Sequence, residues 1–112
     1  MLDRFKVPAG DEIRVAEESL RETTTAVFEK MGVSAEHAAE GANTLVSTDL
    51  RGVETHGVSN MLRAYVQQYN DGKLNPRPNW RILRESPGTA TIDADNGLAI
   101  ILGPAAMRMA ID

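Results

Sequence analysis

"DLRGVETHGVSN" (Asp49–Asn60) is the stretch on which the reading of this chain turns. It brings an aspartate, an arginine, a glutamate, a threonine and a histidine together around Gly52 and Gly57, between two apolar helical patterns. Gly52, Gly57, Val58 and Ser59 superficially fit the phosphate-binding spacing G-x-x-x-x-G-K-[ST]. Val58, however, stands where the lysine should meet the phosphates, and a helix pattern precedes the loop where a strand is needed, so a P-loop is rejected. No two glycines in the chain are separated by a single residue, so the G-x-G-x-x-G dinucleotide fingerprint is missing too. The stretch reads as a connection between two helices. The question it leaves is whether His56 does chemistry there.

Working outward toward the N-terminus, "VSAEHAAEGANTLVSTDL" predicts a helix with Ser34 as N-cap and Glu36 in the first turn. Ala38, Ala42, Leu45 and Val46 form its apolar face, beside Ala39 and Leu50. Gly41 costs about 1 kcal/mol relative to alanine there, which marks close packing against a neighbour. Gly52 ends this helix or lies just beyond it. Further upstream, Leu20, Val27, Phe28 and Met31, with Ala16 and Thr24, make the stripe of an earlier helix. Asp11 is its expected N-cap and Gly32 its C-terminal cap. Residues 1–10 read as an irregular or short extended lead-in.

Downstream, a third helix is expected from about Val58 to Asn70, closed by Gly72, with Met61, Leu62, Tyr65, Val66 and Tyr69 on one face. "LNPRPN" forces an extended connection. "WRILRE" and "TATID", separated by "SPG", predict an antiparallel β-hairpin. "DADNG" is a turn cluster; its carboxylates, Asp93 and Asp95, fit a turn, a cation site or an acid/base pair. "LAIIL" fits a buried strand or the start of a helix, and Gly103-Pro104 is a helix-entry signal. The chain stops at Asp112 with no closing signal, the pattern of a fragment. The expected fold class is α+β: N-terminal helices followed by a short β-hairpin.

Composition narrows the function. Sixteen acidic and 12 basic side chains leave a net charge of −4, and no basic cluster is present, which argues against a nucleic-acid partner. With no cysteine there is no disulfide, thiol nucleophile or thiolate-bound zinc, which suits the cytoplasm. The longest apolar run, Leu98–Leu102, is far too short to span a membrane, and the N-terminus lacks the apolar run of a secretory signal. His37 and His56 fall in no H-E-x-x-H pattern, so no metal site is expected.

His56 is the strongest chemical candidate. Histidine exchanges protons near neutral pH without tuning. Gly57 beside it permits an unusual backbone and close approach of a ligand. Thr55 supplies a hydroxyl, and Arg63, seven residues on, carries a fork suited to a carboxylate. On composition alone, a histidine that simply bonds to a helix end is the weightier reading.

Several motifs carry a resemblance that changes this balance. "DLRGVETHGVSNMLRAYV", "GKLNPRP", "ATIDADNGL" and "AAMRMAI" resemble, in order and spacing, the type-2 malate/L-lactate dehydrogenase family. That family includes ureidoglycolate and sulfolactate dehydrogenases and cyclic-imine reductases. The resemblance covers nearly all of the chain and implies the N-terminal portion of a larger non-Rossmann dehydrogenase. It implies a hydride transfer between NAD or NADP and a small 2-hydroxy acid, malate- or lactate-like, or its 2-oxo or imino counterpart. Members are longer and commonly form homodimers. Residues 1–102 would belong to the substrate-side domain, and 103–112 would begin a helix leading into a cofactor domain. The cofactor-binding residues would lie elsewhere, so this chain alone would not turn over substrate.

The family's "[ST]HG" motif falls on Thr55, His56 and Gly57. The resemblance makes His56 the proton donor and acceptor and Thr55 its orienting or relaying partner. Two positions depart from the family. Many members carry arginine, a substrate-carboxylate ligand, where Asn60 stands here; Arg63 matches another basic position of the motif. Relatives often have glycine where Ala99 stands. Arg63 and Asn60 are therefore the expected substrate-binding residues, with the substrate itself left open. An alternative from a different class is a non-catalytic helical module that packs on a partner chain.

Overall fold

The computed structural model describes residue 8 and residues 10–112, so most of the expected lead-in lies outside the described residues. Four helices and one hairpin follow in the order α1 (Glu17–Lys30), α2 (Ala35–Leu50), α3 (Val58–Asn70), β1 (Arg81–Ser86), β2 (Thr89–Asp93) and α4 (Ala99–Ile111). A 3-10 turn, Glu54–His56, joins α2 to α3. The α+β expectation holds.

Helix α1 begins later than Asp11 predicts. The Asp11 N–H closes a turn onto the Pro8 carbonyl at 2.8 Å, and Ala16 occupies the N-cap position without a side-chain bond. The reason is packing. Ile13 and Val15 are 87% and 66% exposed, so nothing stabilises helix there, whereas burial begins at Leu20 and is complete at Thr24 and Phe28. The threonine run is accommodated by hydroxyls that bond back one turn, Thr24 Oγ1 to Leu20 O at 2.7 Å and Thr25 Oγ1 to Arg21 O at 2.9 Å. The helix ends as a Schellman motif: Gly32 has φ +93°, its N–H reaches Glu29 O at 2.9 Å, and the Val33 N–H reaches Phe28 O at 3.2 Å.

Helix α2 starts at Ser34, whose hydroxyl accepts from the His37 N–H at 3.4 Å. Gly41 marks close packing, as expected. A Cβ at this position would stand 3.1 Å from Phe28 Cε2 of α1 and 3.1 Å from Ile101 Cγ1 of α4. Phe28, Val33, Ala38, Leu45, Leu98, Ile101 and Leu102 form the core around this contact. Truncating Phe28 to alanine in such a core costs about 3–5 kcal/mol. The apolar face of α3, including Met61, Leu62, Tyr65 and Tyr69, lies half-buried against the same cluster.

The hairpin pairs Arg81 with Asp93 and Ser86 with Thr89, with an irregularity between Ile82 and Arg84. Every residue of β1 is exposed. Asp95 fastens its base: Asp95 Oδ2 accepts from Asn75 Nδ2 and from the Asn79 N–H, both at 2.9 Å. Asp93 Oδ1 accepts from the Asp95 N–H at 3.0 Å. Both carboxylates of "DAD" thus shape the turn and hold the proline-rich connection to it.

"LAIIL" is helix, and α4 begins at Ala99, four residues before the Gly103-Pro104 signal. Burial decides the matter, because Leu98, Ile101 and Leu102 must enter the core together. Pro104 consequently lies inside α4, which runs continuously across residues 102 and 103. Among the described residues, no helix is long and apolar enough to cross a membrane.

Candidate active site

The site is built where α2 hands over to α3. Gly52, at φ +72°, ends α2 in a second Schellman motif, with Gly52 N–H to Asp49 O at 2.8 Å and Val53 N–H to Thr48 O at 3.1 Å. The left-handed conformation turns the chain sharply enough for Glu54–His56 to fold back toward the end of α2. The turn is closed by the His56 N–H on Val53 O at 3.0 Å and the Gly57 N–H on Glu54 O at 3.3 Å.

His56 is exposed, and its Nδ1 stands 2.8 Å from Thr55 Oγ1. The hydroxyl can donate to the ring or accept from it, so it settles ring orientation in either tautomer. With Nδ1 engaged in this way, Nε2 is the nitrogen available to a reactant. Two of the expected site residues are therefore in direct contact.

Asn60 belongs to the same unit by a different route. Its Nδ2 donates to Glu54 O at 2.7 Å, so the side chain ties the first turn of α3 to the start of the 3-10 turn. The second N–H of the amide is directed at Ser59 Oγ, 3.4 Å away, so the group Asn60 can turn to a ligand is its amide oxygen, an acceptor. Arg63 is exposed on α3 three residues further on, a neighbour of Asn60 on the helix surface. Among the described residues Arg63 forms no ion pair. Its exposed fork suits an anion.

Gly57 differs from expectation. Its φ of −88° and ψ of −168° are ordinary extended backbone. Space, not conformation, requires glycine: a Cβ would fall 1.6 Å from Asp49 Oδ1 and 2.2 Å from Asp49 Cγ. Asp49 Oδ2 accepts from the Val58 N–H at 2.9 Å. The space beside His56 is thus filled by a carboxylate from α2, not left for a ligand. Sequence reasoning assigned Asp49 no role. A helix normally takes its cap from its own N-cap residue, and Gly57 has no side chain to give, which was the available signal that another residue must serve.

Tyr65 and Tyr69 lie on the core-facing side of α3, and burial pushes both phenols up, Tyr69 to about 12. They remain neutral packing groups. Among the described residues, no group of three or more His, Cys, Asp or Glu side chains converges as a metal site.

Comparison with known proteins agrees with this architecture. Residues 15–112 match the family model described as malate/L-lactate dehydrogenase. A malate dehydrogenase from Pyrococcus horikoshii is 42% identical over 99 residues, and its solved structure superposes with a TM-score of 0.83 over 88% of this chain and 28% of that one. The sulfolactate dehydrogenase structure from Methanocaldococcus jannaschii gives a TM-score of 0.83 at 35% identity, over 88% of this chain and 28% of that chain. A ureidoglycolate dehydrogenase (NAD(+)) from Escherichia coli K12 is 28% identical over 88% of this chain and 28% of its own length. The α2–turn–α3 unit, with His56 exposed in its turn, lies within the part of the fold shared with these dehydrogenases. The chain belongs to the malate/L-lactate dehydrogenase family, and spans a little over a quarter of the length of the relatives it matches.

Proposed function

We propose that this chain supplies the substrate-side, proton-transfer part of an oxidoreductase that moves a hydride between NAD or NADP and a small 2-hydroxy acid, malate- or lactate-like, or its 2-oxo or imino counterpart. The observation that carries the reading is the 2.8 Å contact between Thr55 Oγ1 and His56 Nδ1 on an exposed turn. Oxidation of a hydroxy acid releases a hydride from carbon and a proton from oxygen. With Nδ1–H donating to Thr55, His56 Nε2 presents a lone pair and takes that proton. In the reverse direction the imidazolium returns it to the forming alkoxide. Thr55 keeps its bond to Nδ1–H in both states, so the ring need not turn between them. Arg63 holds the substrate carboxylate through its fork, and Asn60 offers its amide oxygen to a substrate hydroxyl.

The residues described here do not themselves fit a dinucleotide. The helix end nearest His56, the N-terminus of α3, would ordinarily suit a phosphate, but the Asp49 carboxylate occupies it and repels one. We assign the cofactor to the remainder of a longer protein, with 1–102 in the substrate-side domain and 103–112 leading toward the cofactor domain. The chain alone is then inactive, and the whole enzyme is a homodimer, as the resemblance implies, placed in the cytoplasm, which the lack of cysteine suits.

The test is a screen of the complete gene product by NAD(P)H absorbance against malate, lactate, sulfolactate and ureidoglycolate. Turnover of one of them supports the proposal, and no turnover of any hydroxy, oxo or imino acid contradicts it.

A second reading, a non-catalytic helical interaction module, draws on Leu50, Leu83, Met107 and Ile111, which are 63%, 59%, 61% and 76% exposed. Light scattering during size-exclusion chromatography of the 112-residue chain separates the two. A well-behaved monomer counts against the module.

A further inference from the structure

We propose that Asp49 is a positioning residue for His56, holding the proton-transfer turn from outside it; the inference rests on the catalytic reading of His56 given above. The turn is poorly equipped to hold itself. It is three residues long, and of its two closing bonds one, Gly57 N–H to Glu54 O, is stretched to 3.3 Å. Short 3-10 segments have inferior hydrogen-bond geometry and persist where their surroundings support them.

The support comes from two side chains on opposite flanks. Asp49, half-buried in the last turn of α2, accepts from the Val58 N–H at 2.9 Å. Its other oxygen lies so close to Gly57 that a Cβ there would overlap it at 1.6 Å. The carboxylate therefore bears directly on the residue that follows His56. It also brings a negative charge to the positive end of α3, where it is electrostatically favoured. On the other flank Asn60 Nδ2 holds Glu54 O at 2.7 Å. Between these braces the His56 backbone is held on both sides, and Thr55 orients the exposed ring. Asp49 makes the longer-range of the two ties, joining α2 to α3 across the turn. A displacement of about 1 Å in a reacting group can cost about 100-fold in rate, so a loosened turn is read in turnover before it is read in folding.

The test uses the complete gene product with oxaloacetate, pyruvate and 3-sulfopyruvate as probes, each with NADH and NADPH. Asp49→Ala is expected to lower kcat by about tenfold or more. Cofactor affinity, measured by nucleotide fluorescence, should stay within about twofold, and substrate KM should change less than kcat. Asp49→Asn, whose amide oxygen still accepts from the Val58 N–H, is expected to restore most of kcat. Gly57→Ala should lower kcat in the native background and much less in Asp49→Ala, where the space is vacated, because contacting residues are non-additive. Unchanged kcat in Asp49→Ala, failure of asparagine to rescue, or strict additivity of the pair overturns the proposal. If Asp49→Ala does not fold, Gly57→Ala carries the test, and intact turnover in that variant overturns it. His56→Gln is run alongside. An active His56→Gln, or no turnover of any probe by the native protein, overturns the catalytic reading itself. An inactive His56→Gln beside a fully active Asp49→Ala overturns only the role of Asp49.

Discussion

The hydroxyl of Thr44, on α2, stands 3.2 Å from the carbonyl oxygen of Ile100, on α4. This is the carbonyl that Pro104 deprives of its helical partner, because proline four residues on has no N–H to give. Thr44 Oγ1 also lies 3.1 Å from Glu40 O, so one proton is shared between two acceptors. A side chain from a neighbouring helix thus makes an internal proline tolerable at the place where α4 leaves the core.

This relationship predicts a coupling. Thr44→Val keeps the shape and removes the donor, and should cost about 1–2 kcal/mol in denaturant unfolding. In a Pro104→Ala background the alanine N–H can satisfy Ile100, so the same substitution should cost much less. Equal costs in the two backgrounds would show that Thr44 does not serve the proline.

Tyr69 predicts a pH effect. Burial raises its pKa from the ordinary 10.0 to about 12, so between those values the folded protein keeps a proton that the unfolded chain has lost. Stability then falls as pH rises. The contribution is complete below pH 10 and is lost as pH passes through about 12. Thermal melts across that window should show a shallower decline for Tyr69→Phe than for the native protein. Identical slopes would contradict the assignment.

Much of this arrangement was legible in the sequence, for reasons particular to each element. Helix α3 was readable to the residue, because its apolar face repeats with helical period and Gly57 and Gly72 bracket it. Gly41 was readable as a contact because an interior helix glycine needs a reason. The starts of α1 and α4 were not. Asp11 and Gly103-Pro104 are local signals, whereas the helix starts were decided by which apolar residues reach the core. The candidate site shows the same division. The contact of Thr55 with His56 is between neighbours in the chain and follows from their adjacency. The role of Asp49 depends on a sharp reversal at Gly52 that brings residue 49 against residue 58, and no spacing rule for a single element anticipates it.

Arg63 predicts a separable binding defect. It is exposed on the same helix as Asn60, and an exposed guanidinium suits a carboxylate. In the complete gene product, Arg63→Ala should raise substrate KM about tenfold or more while NAD(P)H affinity holds, consistent with the loss of a charge-assisted bond of about 1.5–3 kcal/mol. A defect confined to the cofactor would refute the carboxylate role.

The central claim is that His56 moves the proton, and His56→Gln in the complete gene product tests it most directly. Glutamine retains polarity and a similar reach but does not exchange a proton near neutral pH. Steady-state turnover should fall by about 100-fold or more, in the range that general acid–base catalysis contributes, while NAD(P)H binding stays within about twofold. Turnover equal to that of the native protein would contradict the account.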